Sequence, residues 1–139
     1  MKRELIQAFL EAFAVGDAYG KATEYCSLEQ VRAHYSRIDE LLPPQRAIAH
    51  QDLFYGQVTD DTEQNVYLIR EYARQGRVNP YDTGMCLLRW VQETDAATKY
   101  IGPNSLKALR AIEQGTDVTT TGIGGTTCAS ALLEMSQLG

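Results

Sequence analysis

No stretch of this 139-residue chain alternates β-branched and polar residues for long enough to demand a sheet, whereas its apolar residues return at three- and four-residue steps. Leu5, Phe9, Ala12 and Phe13 form one such stripe and predict a helix over residues 4–15 that stops near Gly16. Ser27 and Gln30 have the spacing of a capping box and predict a short helix from Leu28 to Tyr35, and Pro43-Pro44 breaks any continuation. Thr62, Val66, Ile69 and Ala73, with Tyr67 and Leu68 broadening the face, give a buried stripe to a helix running from Thr59 to about Arg74. Gly76 is its stop, and Asp60 with Glu63 fits a cap and its third following residue. Asn79-Pro80 marks a turn. Met85, Leu88 and Val91 predict a further helix with Trp90 in the core, and Leu106, Leu109 and Ile112 another, ended by Gly115. Thr119 to Thr127 reads as a Thr- and Gly-rich loop before a last helix, Cys128 to Met135. The expected fold class is all-α.

The length suits one domain with a real core. A formal net charge of −5, with no basic patch beyond scattered residues such as Lys2-Arg3, argues against a nucleic-acid groove. Glu4, Gln7, Glu11 and Asp17 interrupt the first apolar stripe, so it reads as neither a secretory signal nor a membrane span. Cys26, Cys86 and Cys128 are widely spaced and odd in number, and neither His34 nor His50 has a partner at zinc-site spacing. They read as free thiols of a cytoplasmic protein. A nucleophilic role stays open for Cys128, which follows a glycine-rich turn where a helix start lowers a thiol pKa.

The chemistry concentrates at Thr59-Asp60-Asp61-Thr62, where two adjacent carboxylates stand between two hydroxyls just before Glu63. Acids at a helix start gain from its exposed amides and dipole, so capping explains the cluster. The same four side chains are hard oxygen ligands of the kind that suits Mg²⁺, Mn²⁺ or Ca²⁺. Both readings remain open on these residues alone. Asp17 and Glu24 lie in a glycine-punctuated segment, Gly102-Pro103-Asn104-Ser105 is a rigid polar turn, and Thr121 to Thr126 can offer backbone amides to an anion. Tyr19 fits a base-stacking position or the core equally.

Gly16-Asp17-Ala18-Tyr19-Gly20 with Glu24, Thr59-Asp60-Asp61-Thr62-Glu63-Gln64, Gly102-Pro103-Asn104-Ser105 and Gly124-Gly125 occur in an order and spacing that closely resembles the ADP-ribosylglycohydrolase family. The resemblance covers almost the entire chain. It implies that residues 1–139 are the N-terminal part of one all-α hydrolase domain with a dinuclear Mg²⁺ or Mn²⁺ centre. The substrate it implies is an ADP-ribosylated protein or small molecule, cleaved at the glycosidic bond. By the same resemblance Thr59, Asp60 and Asp61 are metal ligands, and Glu24 acts in catalysis or in gating the site. Asp17 is then a structural acid or a partner of the ligands rather than the base. Asn104 and Ser105 either touch ribose or phosphate or cap the helix ahead of Leu106. Gly122, Gly124 and Gly125 shape a diphosphate-facing loop or form a plain connector.

Two departures from the family pattern stand out. Relatives carry an Asn-Gly-Ala-Met-Arg-like run where this chain has Ala129 to Glu134, so that Glu134 replaces a basic residue. Family domains are also longer, with a second Asp-containing metal motif in the C-terminal half, and no Asp-x-Asp-Thr follows Asp61 here. The expectation is a hydrolase completed by a C-terminal half or a companion chain. The alternative is an inactive member that binds ADP-ribose-like ligands or serves as a structural or interaction module.

Overall fold

The computed structural model describes residues 3–121, except for the side chains of residues 97 and 98. Its helices are α1 (Arg3–Gly20), α2 (Leu28–His34), α3 (Asp60–Gln75), α4 (Pro80–Glu93), α5 (Ala96–Lys99) and α6 (Pro103–Glu113). Single 3₁₀ turns cover Lys21–Thr23, Pro44–Arg46 and Val118–Thr120. Among the described residues there is no strand, as the all-α expectation requires. The helix expected over Cys128–Met135 lies outside them. The chain forms two compact units, Met1–Thr62 and Glu63–Gly139.

In the first unit, α1 does not stop at Gly16 but continues to Gly20. A glycine inside a helix costs only about 1 kcal/mol relative to alanine. The extra turn carries Ala18 into a buried position and Asp17 into four hydrogen bonds, which outweighs that cost. The stripe expected to bury α1 does the opposite: Leu5, Phe9 and Phe13 are exposed, Phe9 by 66%. The core of this unit is small, consisting of Ala22, Leu42 and Ala47 with Tyr35 and Ile38 packed against them.

Polar contacts do much of the remaining positioning. The Ala22 carbonyl accepts from the amides of Ile48 (3.0 Å) and Ala49 (3.1 Å). Lys21 is buried, and its Nζ donates to the carbonyls of Phe54 (2.9 Å) and Gln57 (2.5 Å). Burial lowers the Lys21 pKa, and the Asp17 carboxylate opposes that shift. These bonds fasten the loop leading into Thr59 to the end of α1. In α2 the capping box forms as expected, with Ser27 Oγ accepting from the Gln30 amide and Gln30 Oε1 from the Ser27 amide.

The second unit is built around α4. Trp90 is completely buried, and Cys86, Leu88, Ala96, Tyr100 and Leu109 join it in the interior. Asn79 caps α4 by accepting from the Asp82 amide (2.8 Å), with Pro80 at the first helical position, where a missing N–H costs nothing. The face of α3 that meets α4 is not Thr62, Val66, Ile69 and Ala73, since Ile69 and Ala73 are exposed. It is the polar row Glu63, Tyr67 and Glu71, repeating every four residues. Glu63 accepts from Trp90 Nε1 and the Tyr100 hydroxyl, both at 2.8 Å, so it serves the core instead of capping its helix. The Tyr67 hydroxyl donates to Glu93 (3.2 Å). Buried Glu71 is held by Arg74, Gln75 and Arg89, whose hydrogen bonds keep its carboxyl well below the usual range. Gly76 (φ 66°) and Gly115 (φ 91°) supply the left-handed residues that end α3 and α6.

Candidate active site

The end of α1 holds the start of α3. Asp17 Oδ1 accepts from the Thr59 hydroxyl (2.7 Å), and Oδ2 accepts from the Thr59 amide (2.9 Å), the Thr62 amide (3.1 Å) and the Thr62 hydroxyl (2.5 Å). The first amides of a helix have no partner within it, and a carboxylate is the acceptor its dipole favours. Asp17 is thus a cap supplied from 42 and 45 residues away. Thr59 is only 3% exposed, and its hydroxyl hydrogen points at Asp17. The lone pairs of that oxygen remain able to face an electropositive partner.

Asp60 and Asp61 occupy the first turn of α3. Burial, then the charge of Asp61, push the Asp60 carboxyl up to about 6, against the pull of its own backbone hydrogen bond. The charges of Glu24 and Asp17 add to the rise. Four acids of one unit therefore share a single electronegative neighbourhood. Among the described residues no group of three or more His, Cys, Asp or Glu side chains is arranged to hold a metal ion. Thr59, Asp60 and Asp61 supply hard oxygens of the sort Mg²⁺ and Mn²⁺ take.

Glu24 follows the 3₁₀ turn Lys21–Thr23 with extended backbone (φ −58°, ψ 143°). His50 Nε2 lies 2.6 Å from its Oε2. Tyr25 (φ 61°) and His50 (φ 53°) are the only non-glycine residues with positive φ among those described, and both adjoin Glu24. Burial raises the Tyr25 pKa, followed by the charge and hydrogen bond of Glu24 and the charges of Asp60 and Asp61. Sequence reasoning weighed His50 only as a zinc ligand. Its partner is 26 residues away, and no local pattern signals the pair.

Asn104 and Ser105 lie in the first turn of α6, which starts at Pro103 rather than ahead of Leu106. Gly102 is the N-cap and no side chain caps it, so neither residue has the capping role. Both belong to the unit Glu63–Gly139. Gly122, Gly124, Gly125, Cys128 and Glu134 lie outside the described residues. Cys86 is buried and burial raises its thiol pKa, while Cys26 is partly buried; both are free.

The family model for ADP-ribosylglycohydrolase matches residues 2–137. The chain is 35% identical over 119 residues to an uncharacterised protein of Archaeoglobus fulgidus, an alignment covering 86% of this chain and 37% of that protein. It is 34% identical over 142 aligned positions to the uncharacterised protein YegU of Escherichia coli K12, covering 100% of this chain and 42% of the relative. The chain therefore spans less than half the length of these curated relatives. No solved structure matches it. Nearly its whole length fits one family, and the chain belongs to the ADP-ribosylglycohydrolases.

Proposed function

We propose that residues 1–139 form the N-terminal part of a single hydrolase domain that cleaves the glycosidic bond between ADP-ribose and a protein or small-molecule acceptor. The observation that carries this reading is that Asp60 feels the charges of Asp61, Glu24 and Asp17, and that Asp17 holds the proton of the adjacent Thr59 hydroxyl. Thr59, Asp60 and Asp61 are the residues that would hold Mg²⁺ or Mn²⁺, as a dinuclear centre once the site is complete. When bound, such ions neutralise the carboxylates, orient ribose hydroxyls and lower the pKa of water.

The chain's own residues supply the rest. Asp17 fixes the Thr59 hydroxyl and the first turn of α3, setting the direction in which Asp60 and Asp61 project. Glu24 takes a proton from the attacking water or gives one to the leaving group. An acidic wall suits the positive charge that grows at the anomeric carbon as the glycosidic bond breaks. Asn104, Ser105, Gly122, Gly124 and Gly125 are assigned to the ribose and diphosphate.

The donor set is partial, so the active species includes a C-terminal half or a companion chain carrying the remaining ligands. Two facts support this: the relatives are more than twice as long as the matched region, and Leu5, Phe9 and Phe13 of α1 stand exposed. One observation favours a second reading, an inactive member that binds ADP-ribose-like ligands. Among the described residues, the acids do not make a group of three suited to a metal ion. The deciding experiment is to purify the chain with the polypeptide that completes it, titrate Mg²⁺ and Mn²⁺, and measure ADP-ribose released from modified arginine, modified serine and small-molecule substrates. Metal-dependent release supports the hydrolase. Saturable ADP-ribose binding with no release under any metal supports the second reading.

A further inference from the structure

The contact between Glu24 and His50 is used by no part of the fold described so far. His50 is not a member of the hydrophobic cluster of its unit, which is Ala22, Leu42 and Ala47 with Tyr35 and Ile38. Its side chain is nevertheless only 10% exposed, while that of Glu24 is 36% exposed and so reaches the surface. A buried imidazole gripping the more open carboxylate is the arrangement expected of a support and the group it supports.

The backbone points the same way. A left-handed conformation at a non-glycine residue costs on the order of 1–2 kcal/mol, and it persists where the surroundings require it. Tyr25 and His50 alone among the described non-glycine residues adopt it. One follows Glu24 in the chain and the other touches its carboxylate, with the two rings 6.4 Å apart. The loop carrying His50 is itself anchored beside Glu24, because Ile48 and Ala49 donate to Ala22. Two strained residues and an anchored loop thus converge on one carboxylate.

We propose that His50 is a positioning residue for Glu24: its Nε2–H, bonded to Oε2, fixes the rotamer of the carboxylate that handles the proton of the reaction. This rests on the hydrolase reading for Glu24. The imidazole donates from Nε2 both as the neutral Nε2–H tautomer and as the cation, so the hold does not depend on a particular charge state. His50 touches no substrate in this scheme and acts only through Glu24.

The pair is tested first in the ¹⁵N-labelled full chain by two-bond proton–nitrogen spectra of its two imidazoles. His34 serves as an internal reference, since it is exposed, bonds the Gln30 carbonyl through Nδ1 and has the Tyr35 ring as its aromatic neighbour. A protonated Nε2 at His50 whose shift changes in Glu24→Ala, with His34 unmoved, supports the pairing. A His50 signal insensitive to Glu24→Ala overturns it. In the complete hydrolase, His50→Ala is expected to lower kcat by about 10- to 100-fold, the usual effect of removing the partner that orients a site residue. KM and the Mn²⁺ dissociation constant should stay within roughly threefold, since no ligand or substrate contact is lost. His50→Gln, which places an amide N–H near the position of Nε2, should recover most of the loss. Equal losses in both variants, or a loss confined to KM, overturn the proposal. If the unmodified complete protein releases no ADP-ribose, the hydrolase reading fails while the spectra still decide whether His50 holds Glu24.

Discussion

Asp17 Oδ2 lies 3.1 Å from the amide nitrogen of Thr62 and 2.5 Å from its hydroxyl oxygen, so one carboxylate oxygen closes two open donors at the start of α3. Since Oδ2 also accepts from the Thr59 amide and Oδ1 from the Thr59 hydroxyl, the geometry of Asp60 and Asp61 depends on a residue in another helix. Asp17→Ala strands four partly buried donors. It is expected to cost about 3 kcal/mol, the range for losing charge-assisted hydrogen bonds and a helix cap together. Asp17→Asn keeps one acceptor but turns an NH₂ group towards donors, and should lie between Asp17→Ala and the parent. Urea unfolding followed by helical circular dichroism reads both, and a loss below about 0.5 kcal/mol for Asp17→Ala would show that water replaces the carboxylate.

The Asp60 carboxyl gives a pH signature. Its pKa rises from 3.8 to about 6 in the folded protein, mainly through burial and then through Asp61. The folded state therefore holds this proton more tightly than the unfolded state. The stabilisation it brings is complete below about pH 4 and is lost as the pH rises through 6. In EDTA, Asp60→Asn should remove that slope. The variant should melt above the parent at pH 7 and converge with it towards pH 4. With Asp60 as the proposed ligand, Mg²⁺ or Mn²⁺ should raise the melting temperature of the parent and not that of Asp60→Asn, because a ligand that binds the folded state stabilises it by mass action. A parent more stable than Asp60→Asn at pH 7 without metal would contradict the burial argument.

How much of this could be read from the sequence differs from residue to residue. Ser27–Gln30, Gly76, Gly115 and Trp90 were legible because each acts through its immediate neighbours or through plain hydrophobicity. The end of α1 was not, because continuing through Gly16 is repaid by Asp17 bonds to residues 42 and 45 positions away. Apolar periodicity also misplaced the inner face of α3, where Glu63 and Glu71 point inward because Trp90, Tyr100 and Arg89 offer them donors. The site divides along the same line. Thr59-Asp60-Asp61-Thr62 is contiguous and announces itself, whereas the Glu24–His50 pair depends on a loop returning to the end of α1.

Gly84 in α4 permits a close approach. A Cβ built there would stand 2.8 Å from Val118 Cγ1 and 3.4 Å from Ile112 Cδ1. Helix propensity alone favours Gly84→Ala by about 1 kcal/mol, yet overpacking costs about 1–3 kcal/mol. The net expectation is destabilisation. Val118→Ala should relieve the clash, so that the double variant Gly84→Ala/Val118→Ala is more stable than the sum of its single changes predicts. Additive effects in thermal unfolding would mean that Val118 yields freely.

The exposed row on α1 separates folding from assembly. Phe9 and Phe13 touch each other, with ring centroids 6.3 Å apart, but Phe9 is two-thirds exposed. An aromatic pair at this spacing on a helix contributes only about 0.2–0.5 kcal/mol. Phe9→Asp should therefore leave the unfolding midpoint of the chain nearly unchanged while abolishing co-purification with the C-terminal half or companion chain proposed to complete the site. Retained co-purification would place that contact elsewhere.

Tyr25 offers the sharpest test of stored strain beside Glu24. Its side chain is 75% exposed, so truncation sacrifices little packing, while its φ of 61° is disfavoured for any residue with a Cβ. Tyr25→Gly removes the steric cost of roughly 1–2 kcal/mol and gives back part of it through the greater freedom of glycine in the unfolded chain. The net expectation is a stabilisation of about 0.5–1 kcal/mol, the outcome for a residue held in a strained conformation by its site. Tyr25→Ala keeps the Cβ and should show no such gain. Comparing the two in urea isolates the backbone contribution, since both lose the same ring. If Tyr25→Gly is no more stable than Tyr25→Ala, the left-handed backbone at this position stores no energy for Glu24 to exploit.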